Sequence, residues 1–369
     1  MTQVVSPLTG FVVYSFQVVL QIFWQYSPDM RAERQSNEAG QASQWEGADP
    51  TFLNYYAWQF RWSSYRKAED MALSVLEYSR TPGLGRPNGT RRRNGLAFRT
   101  LGWLALWRGD FQAAEAYSHK AIARLKGVGA ESALVDAHDV LAVVGISRND
   151  LAVADAHIKE AKSLLPKSKN ADTETGVLIT ESIFERLSGR LVVAQNISNE
   201  VMKMSVGETR ARAKLNMARA LYSVGDYAQA EEHISCATTL CSDQNNAILT
   251  PYVIEVYAQI QIAMGQTDGV AQKLDHATDL ANDRMDTRAV AHILRQRAEL
   301  EYSEGRVSTA LETFLKALEI SKDLDYGLLQ TLILRRCAEL QEGLGHTADA
   351  LASMKSLDQL NADYATPAI

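Results

Sequence analysis

An all-α solenoid built from stacked helical hairpins is the fold this sequence predicts, and three observations predict it. The eight prolines of the 369 residues leave the stretches 88 to 165, 167 to 250 and 252 to 366 without any, so long helices meet no residue that would break them. A turn residue then recurs on one ruler: Gly109, Asn149, Gly189, Gly225, Gly265, Gly305 and Gly345, at intervals of 40, 40, 36, 40, 40 and 40. Small side chains keep step with it. Five residues after the turn stand Ala114, Ala154, Ala194, Ala230, Val270, Ala310 and Ala350, and seven residues before it stand Gly102, Ala142, Ser182, Ala218, Ala258, Ala298 and Ala338.

Each column has a physical reason. A residue that must enter the left-handed backbone region to end one helix favours glycine, with asparagine next, which is the exchange at Asn149. Small residues on two antiparallel helices let them approach closely, while Phe98, Leu101, Leu311, Phe314 and Leu318 fill the grooves beside them. A third apolar column follows twelve residues after the turn, from Ala121, Ala161 and Val201 through Ala237, Ala277 and Ala317 to Leu357. One hairpin has too little core to stand alone, so neighbours stack into a continuous hydrophobic spine. The competing reading, unrelated alanine-rich helices in a bundle, would not keep three columns in register. Thr250 before Pro251 reads as a cap followed by a proline where its missing amide proton does no harm.

Composition narrows the function. With 46% hydrophobic and 22% charged residues the chain is a globular one, and a net charge of -6 gives no general reason to bind nucleic acid. Three cysteines without a Cys-x-x-Cys pair read as unbridged thiols in a reducing compartment, so a cytoplasmic location is expected. Phe11 to Trp24 is apolar but too short, and interrupted by Gln17 and Gln21, for a bilayer span. Residues 1–28 therefore form an apolar segment expected to pack on the rest of the chain, with lipid contact through Phe11 to Trp24, or a stretch without stable order, the less favoured readings. Residues 29–50 read as a polar linker, 51–361 as the repeat array and 362–369 as a short tail.

With the columns in place the sequence resembles the tetratricopeptide repeat family. Leu101-Gly102, Gly109-Asp110-Phe111, Ala114 and Ala121 match its pattern residue by residue, and Ala218, Gly225, Tyr227, Ala230 and Ala237 match nearly as well. Glu181 and Arg297 stand where the family has leucine, and the period exceeds the usual one of about 34 residues, implying longer helices. An earlier unit, Phe52 to Tyr78, aligns Tyr65 and Ala68 with Phe111 and Ala114. The resemblance implies a right-handed solenoid of about seven to eight hairpins. Leu53 to Arg61, followed by Leu101-Gly102-Trp103, is also similar to the start of repeat arrays in bacterial signalling proteins, including diguanylate cyclases and kinases. There the array is a regulatory input. Only nine residues follow Leu360, so the expectation is an isolated input module or one acting in trans.

Enzyme signatures are missing. There is no phosphate-binding loop, no Gly-x-Ser-x-Gly, no His-Glu-x-x-His and no cyclase Gly-Gly-Asp-Glu-Phe, and no cofactor is expected. His157 and His233 suit inter-helix positions better than a metal pair, and Glu181 with Glu185 suit a solvated face; neither a metal site nor a catalytic residue is assigned. Gly83 to Gly89 reads as a connecting loop, with Arg86, Arg91, Arg92 and Arg93 gathering positive charge on it.

The resemblance implies that the first helix of each hairpin lines a concave groove, and the columns ten, six and three residues before the turn are the ones to face it. Arg212, Asn216, Arg219 and Tyr222 fall on successive turns of one helix and offer two guanidinium forks, an amide and a ring, suited to carboxylates and peptide backbone. Arg295, Glu299, Tyr302 and Arg335 continue the face. The competing reading is a row of solvating charges. The sequence thus points to a non-enzymatic module binding a protein or peptide segment in bacterial signalling or regulation; the alternative is a regulatory subunit or truncated relative of a cyclase or kinase. Leu351, Met354, Leu357 and Leu360, at helical spacing, leave the array's end open to self-association.

Overall fold

The computed structural model describes residues 48–79, 87–243 and 248–364, together with Trp45 and Asn246. The apolar segment 1–28, the linker 29–50 except Trp45 and residues 48–50, the loop from Gly83 through Arg86 and the tail from residue 365 lie outside the described residues. Sixteen helices and no strand occur among the described residues, and consecutive helices pair into eight hairpins. These are α1 (Pro50–Phe60) with α2 (Tyr65–Tyr78), α3 (Pro87–Arg108) with α4 (Phe111–Leu125), α5 (Glu131–Arg148) with α6 (Leu151–Ser168), and α7 (Ala171–Leu187) with α8 (Leu191–Met204). They continue as α9 (Gly207–Ser223) with α10 (Tyr227–Asp243), α11 (Thr250–Ala263) with α12 (Val270–Asp283), α13 (Thr287–Ser303) with α14 (Val307–Asp323), and α15 (Gly327–Gly343) with α16 (Thr347–Tyr364). All sixteen belong to one unit beginning at Ala48.

One turn chemistry makes the hairpins. Gly109 has φ +84° and Asn149 has φ +68°, the left-handed residue that ends a helix. The amide of the following residue then reaches back five positions: Asp110 N–H donates to the Ala105 carbonyl at 3.0 Å and Asp150 to that of Gly145 at 2.8 Å. Asp110, Asp150 and Asp226 next serve as caps, accepting from the amides of Ala113, Val153 and Gln229 at 2.9, 3.0 and 3.1 Å. A Gly-Asp pair therefore closes one helix and opens the next, satisfying end groups at both.

The small columns are buried as expected. Ala114, Ala154, Ala194, Ala230 and Ala310 expose no surface, nor do Ala142, Ala218, Ala258 and Ala298. Where the seventh unit position is Ser182, its hydroxyl bonds the Ala194 carbonyl at 3.0 Å and the Ser198 hydroxyl at 2.7 Å, so the polar group is not orphaned. Phe111, Leu104, Leu274, Ile293, Leu300 and Phe314 fill the spine between units.

Three local expectations change. Arg91, Arg92 and Arg93 lie on the first turns of α3 instead of a loop; Arg91 Nη2 donates to the carbonyls of Ala123 and Lys126, both at 3.4 Å, at the end of α4. Thr250 does not cap α11. Its hydroxyl donates to the Asn246 carbonyl at 2.6 Å, and the Asn246 side chain accepts from the amides of Ile248 and Leu249, so asparagine organises that turn. At the end of the array Leu351 and Met354 are exposed, but Leu357 and Leu360 pack on the core.

The largest departure is global. The last hairpins curl back onto the second and third, α15 meeting α5 and α13 meeting α3. The Phe111 and Tyr326 rings meet edge to face at 5.3 Å between centroids. Arg148 donates to Glu115 at 2.7 Å and to Asp325 at 2.8 Å, joining positions 177 residues apart. Leu328 packs against the core cluster that holds Ala142, Ile146 and Phe184. A single core cluster accordingly holds Trp103, Phe111 and Val140 beside Phe314, Tyr326 and Leu334. The expected groove becomes a partly open cavity between the joined hairpins.

Close approach sets the first prediction. A methyl at Gly145 would lie 2.8 Å from the Ala154 nitrogen and 3.1 Å from the Asp150 carbonyl oxygen, whereas one at Gly343 meets nothing within 4 Å. In urea denaturation Gly145→Ala should destabilise by about 1–3 kcal/mol despite its better helix propensity. Gly343→Ala should be neutral or stabilising by up to about 1 kcal/mol.

Candidate functional site

Closure leaves a cavity of about 380 Å³ inside the ring. Its wall comes from the first helices of the hairpins, and the columns ten, six and three residues before the turn supply much of it: Trp103 and Leu106 from α3, Asp139, Val143 and Ile146 from α5, Ile179, Ile183 and Arg186 from α7, Leu215, Arg219 and Tyr222 from α9. A further column, thirteen residues before the turn, adds Arg212, Tyr252, His292 and Leu332. The four columns stand at i, i+3, i+7 and i+10, one face of a helix.

Of the residues expected on this face, Arg212, Asn216, Arg219, Tyr222 and Arg295 line the cavity. Glu299, Tyr302 and Arg335 do not. Arg336 holds Glu299 at 2.9 Å and reaches Glu339, and its guanidinium lies over the Tyr302 ring at 4.9 Å. Arg335 is exposed. Arg295 on the same helix as Glu299 and Tyr302 does line the cavity, as do Leu328 and Leu332 of α15.

The wall is partly a charge network. Glu255, 2% exposed, accepts from Arg219 Nη2 at 2.9 Å on one oxygen, and from Arg295 Nη2 at 2.8 Å and Gln296 Nε2 at 3.0 Å on the other. Burial alone would raise its pKa, but Arg219, His292 and Arg295 outweigh it and bring it down to about 2. Arg219 and Arg295 are therefore engaged with protein, and only Arg212 of the two forks on α9 is without an ion pair. His292 is kept neutral, its pKa lowered to about 3 by burial, with Nε2 2.9 Å from the Tyr326 hydroxyl. Beside it Tyr252 donates to Asp286 at 2.9 Å and accepts from Arg288 Nε at 2.8 Å.

One end of the space is stacked with aromatic rings and cations. Trp62 lies edge-on to Trp103 at 4.3 Å and to Trp107 at 5.2 Å. Arg99 and Arg61 sit over Trp58 at 3.6 and 3.9 Å, Arg212 over Trp62 at 5.4 Å, and Arg288 over Trp107 at 4.8 Å. Arg99 also pairs with Asp136 at 3.1 Å.

Five cavity-lining residues carry a buried polar atom without a hydrogen-bond partner: Thr180 Oγ1, His292 Nδ1 and Arg295 Nε, besides one atom each of Asp139 and Arg186. Asp139 Oδ1 is buried and has no hydrogen-bond partner. Burial pushes this carboxyl up to about 6, against the pull of Thr180 and Arg212. Arg186 Nε is likewise buried without an acceptor.

The other flagged side chains are structural. His157 lies between helices with Nδ1 3.1 Å from that of His138, and Glu181 pairs with Lys162 at 2.6 Å and Glu185 with Arg190. Cys236, Cys241 and Cys337 are unbridged. Among the described residues no group of three or more His, Cys, Asp or Glu side chains is placed to hold a metal ion, and no helix is long and apolar enough to cross a membrane. Sequence reading missed Glu255 as the hub. The signal was present: Arg219, Glu255 and Arg295 alternate in sign at intervals of about one repeat in the groove-facing columns. Tyr252, Asp286 and Arg288 gave no such signal.

These features define a helical-repeat solenoid of the tetratricopeptide type. Comparison of structures agrees. The fold is similar to that of a Rap protein complexed with competence and sporulation factor, with a TM-score of 0.61 at 12% identity over 86% of this chain and 98% of that one. It is similar also to the Rap conjugation gene regulator of plasmid pLS20 in complex with the Phr* peptide, with a TM-score of 0.62 at 11% identity over 85% and 96% of the two chains. Aspartyl phosphate phosphatase F from Bacillus subtilis gives a TM-score of 0.54 at 15% identity over 98% and 96%. No family model and no curated protein matches the sequence. The resemblance to cyclase and kinase input regions draws no support from these comparisons.

Two predictions concern the wall. Glu255→Gln, which strands two guanidiniums, should destabilise by about 3–5 kcal/mol in urea, and Glu299→Gln, at a more exposed pair, by less than about 1 kcal/mol. Because the folded Glu255 carboxyl sits at about 2 against an ordinary 4.5, its contribution is present above 4.5 and is lost as pH falls toward 2. Asp139 has the opposite sign: with a folded value of about 6 against 3.8, the folded state holds the proton more tightly. Wild-type stability relative to Asp139→Asn should therefore fall by up to ~3 kcal/mol as pH rises from 4 through 6, measured by denaturation at a series of pH values.

Proposed function

We propose that this chain is a non-enzymatic regulatory interaction module that takes a peptide or protein segment into its inner cavity, in bacterial signalling. The observation that carries the reading is the mismatch inside the cavity. Most of the wall is apolar or internally paired, yet Asp139, Arg186 and Arg212 face the space without an ion-pair partner among the described residues. A few convergent polar groups on an otherwise apolar concave wall are the usual form of a ligand site. Two neighbours of similar fold are peptide or factor complexes, which supports the same kind of occupant here.

A catalytic use of the cavity is less well supported. His292 is its one histidine among the lining residues, and its neutral ring is held against Tyr326 within a charge network. That arrangement holds the ring in place and gives it no nucleophile to activate. The neighbour described as a phosphatase shares fold alone at 15% identity.

Capture from a random peptide library by the immobilised full chain tests the reading. Wild type should retain a defined set of sequences, and Arg212→Ala, which removes no ion pair, should reduce retention about tenfold or more with an unchanged circular dichroism spectrum. Retention unaffected by Arg212→Ala would remove this face of the cavity from the site.

A further inference from the structure

We propose that the cavity's occupant carries an oxyanion, a carboxylate or phosphate group, and that Arg186 on α7 is its anchor; this rests on the cavity being a binding site. Five arginines line the cavity, and four of them are engaged within the protein. Arg219 and Arg295 share Glu255, Arg288 donates to the Tyr252 hydroxyl, and Arg212 lies over the Trp62 and Trp107 rings. Arg186 makes no hydrogen bond, ion pair or ring contact among the described residues, and its Nε is buried.

No carboxylate among the described residues hydrogen-bonds Arg186. Glu255 attracts it, but both Glu255 oxygens already accept from other donors, and the like charge of Arg219 repels it. Asp139, the second carboxylate of the wall, is not among the groups that act on it. Five arginines thus face two carboxylates, which leaves the cavity a positive interior. A buried guanidinium without a hydrogen-bonded counter-ion destabilises the fold, and burial, with repulsion from Arg219, outweighs the attraction of Glu255 and lowers its pKa to about 10.

The repeat does not require an arginine there. Arg186 stands three residues before the turn, and the same position in the hairpins on either side is Ile146 and Tyr222. An apolar residue would continue the wall formed by Ile183, Leu187 and Leu328. A costly group kept where packing would accept a cheaper one marks a site for a ligand. The guanidinium fork matches carboxylate and phosphate oxygens bidentately, and the apolar surroundings strengthen such a pair.

The test uses the full chain with Arg186→Met and Arg186→Lys. Without ligand, Arg186→Met should melt at the same temperature as wild type or higher. Inorganic phosphate and glutarate should each be titrated against sodium chloride of equal ionic strength, following melting temperature and tryptophan emission. Library peptides should be captured with free and with amidated C-termini. An anion-dependent stabilisation of wild type, or capture biased to acidic or free-carboxylate peptides, that falls about tenfold or more in Arg186→Met and partly returns in Arg186→Lys is the expected result. Which probe acts best names the source of the anion. Peptide capture with the same acidic bias in Arg186→Met would overturn the anchor and leave the interaction module standing. No capture, with phosphate or glutarate still stabilising wild type through Arg186, would keep the anion site and remove the peptide reading. Wild type indifferent to every anion, or capturing peptides without acidic bias, would overturn the inference.

Discussion

The seam where the chain meets itself is the constraint on which the cavity depends. Nearest-neighbour stacking of hairpins produces curvature, but curvature alone leaves an open groove. Phe111 against Tyr326, Leu328 against the cluster that holds Ile146, and Arg148 held between Glu115 and Asp325 turn that groove into a ring. The apolar contacts supply the adhesion. The two-acceptor geometry at Arg148 fixes which turn of α5 faces which end of α14, since a guanidinium fork satisfies both carboxylates in one orientation.

Within the ring, polarity is distributed by role. The Arg219–Glu255–Arg295 set behaves as a beam: one carboxylate ties together guanidiniums from the hairpins on either side of it, and with its pKa at about 2 it stays ionised through the neutral range. The tryptophan and arginine stack at one end does similar work through ring faces, covering apolar area with cations that need few hydrogen bonds. Against that background the unpaired groups stand out as the part of the interior the fold does not use for itself.

The fold was legible in the sequence because its restrictions are local and repeated. Asn149 replacing glycine at a left-handed turn, and alanine held at one spacing, report contacts within a single hairpin that recur in each. The inner face was legible for the same reason at Arg219 and Tyr222 on α9 and at Arg295 on α13, which column position alone placed on the cavity. It failed at Glu299, Tyr302 and Arg335. Their columns are correct for a hairpin, but Arg336 of the next unit engages Glu299 and Tyr302, and the curvature that brings distant units together is a property summed over many units. The pairing of Arg148 with Asp325 is unreadable for that reason, and the pairing of Arg219 with Glu255 would have been readable from charges alternating between neighbouring units.

Joining the ends of a linear array changes how it comes apart. An open solenoid is coupled only to its neighbours and unravels from either terminus, unit by unit. Here the terminal hairpin is braced by one that lies near the other end of the chain, so fraying must first break contacts made across most of the polypeptide. Loss of α15 and α16 would not shorten the spring by one coil; it would open the chamber and release both of its rims at once.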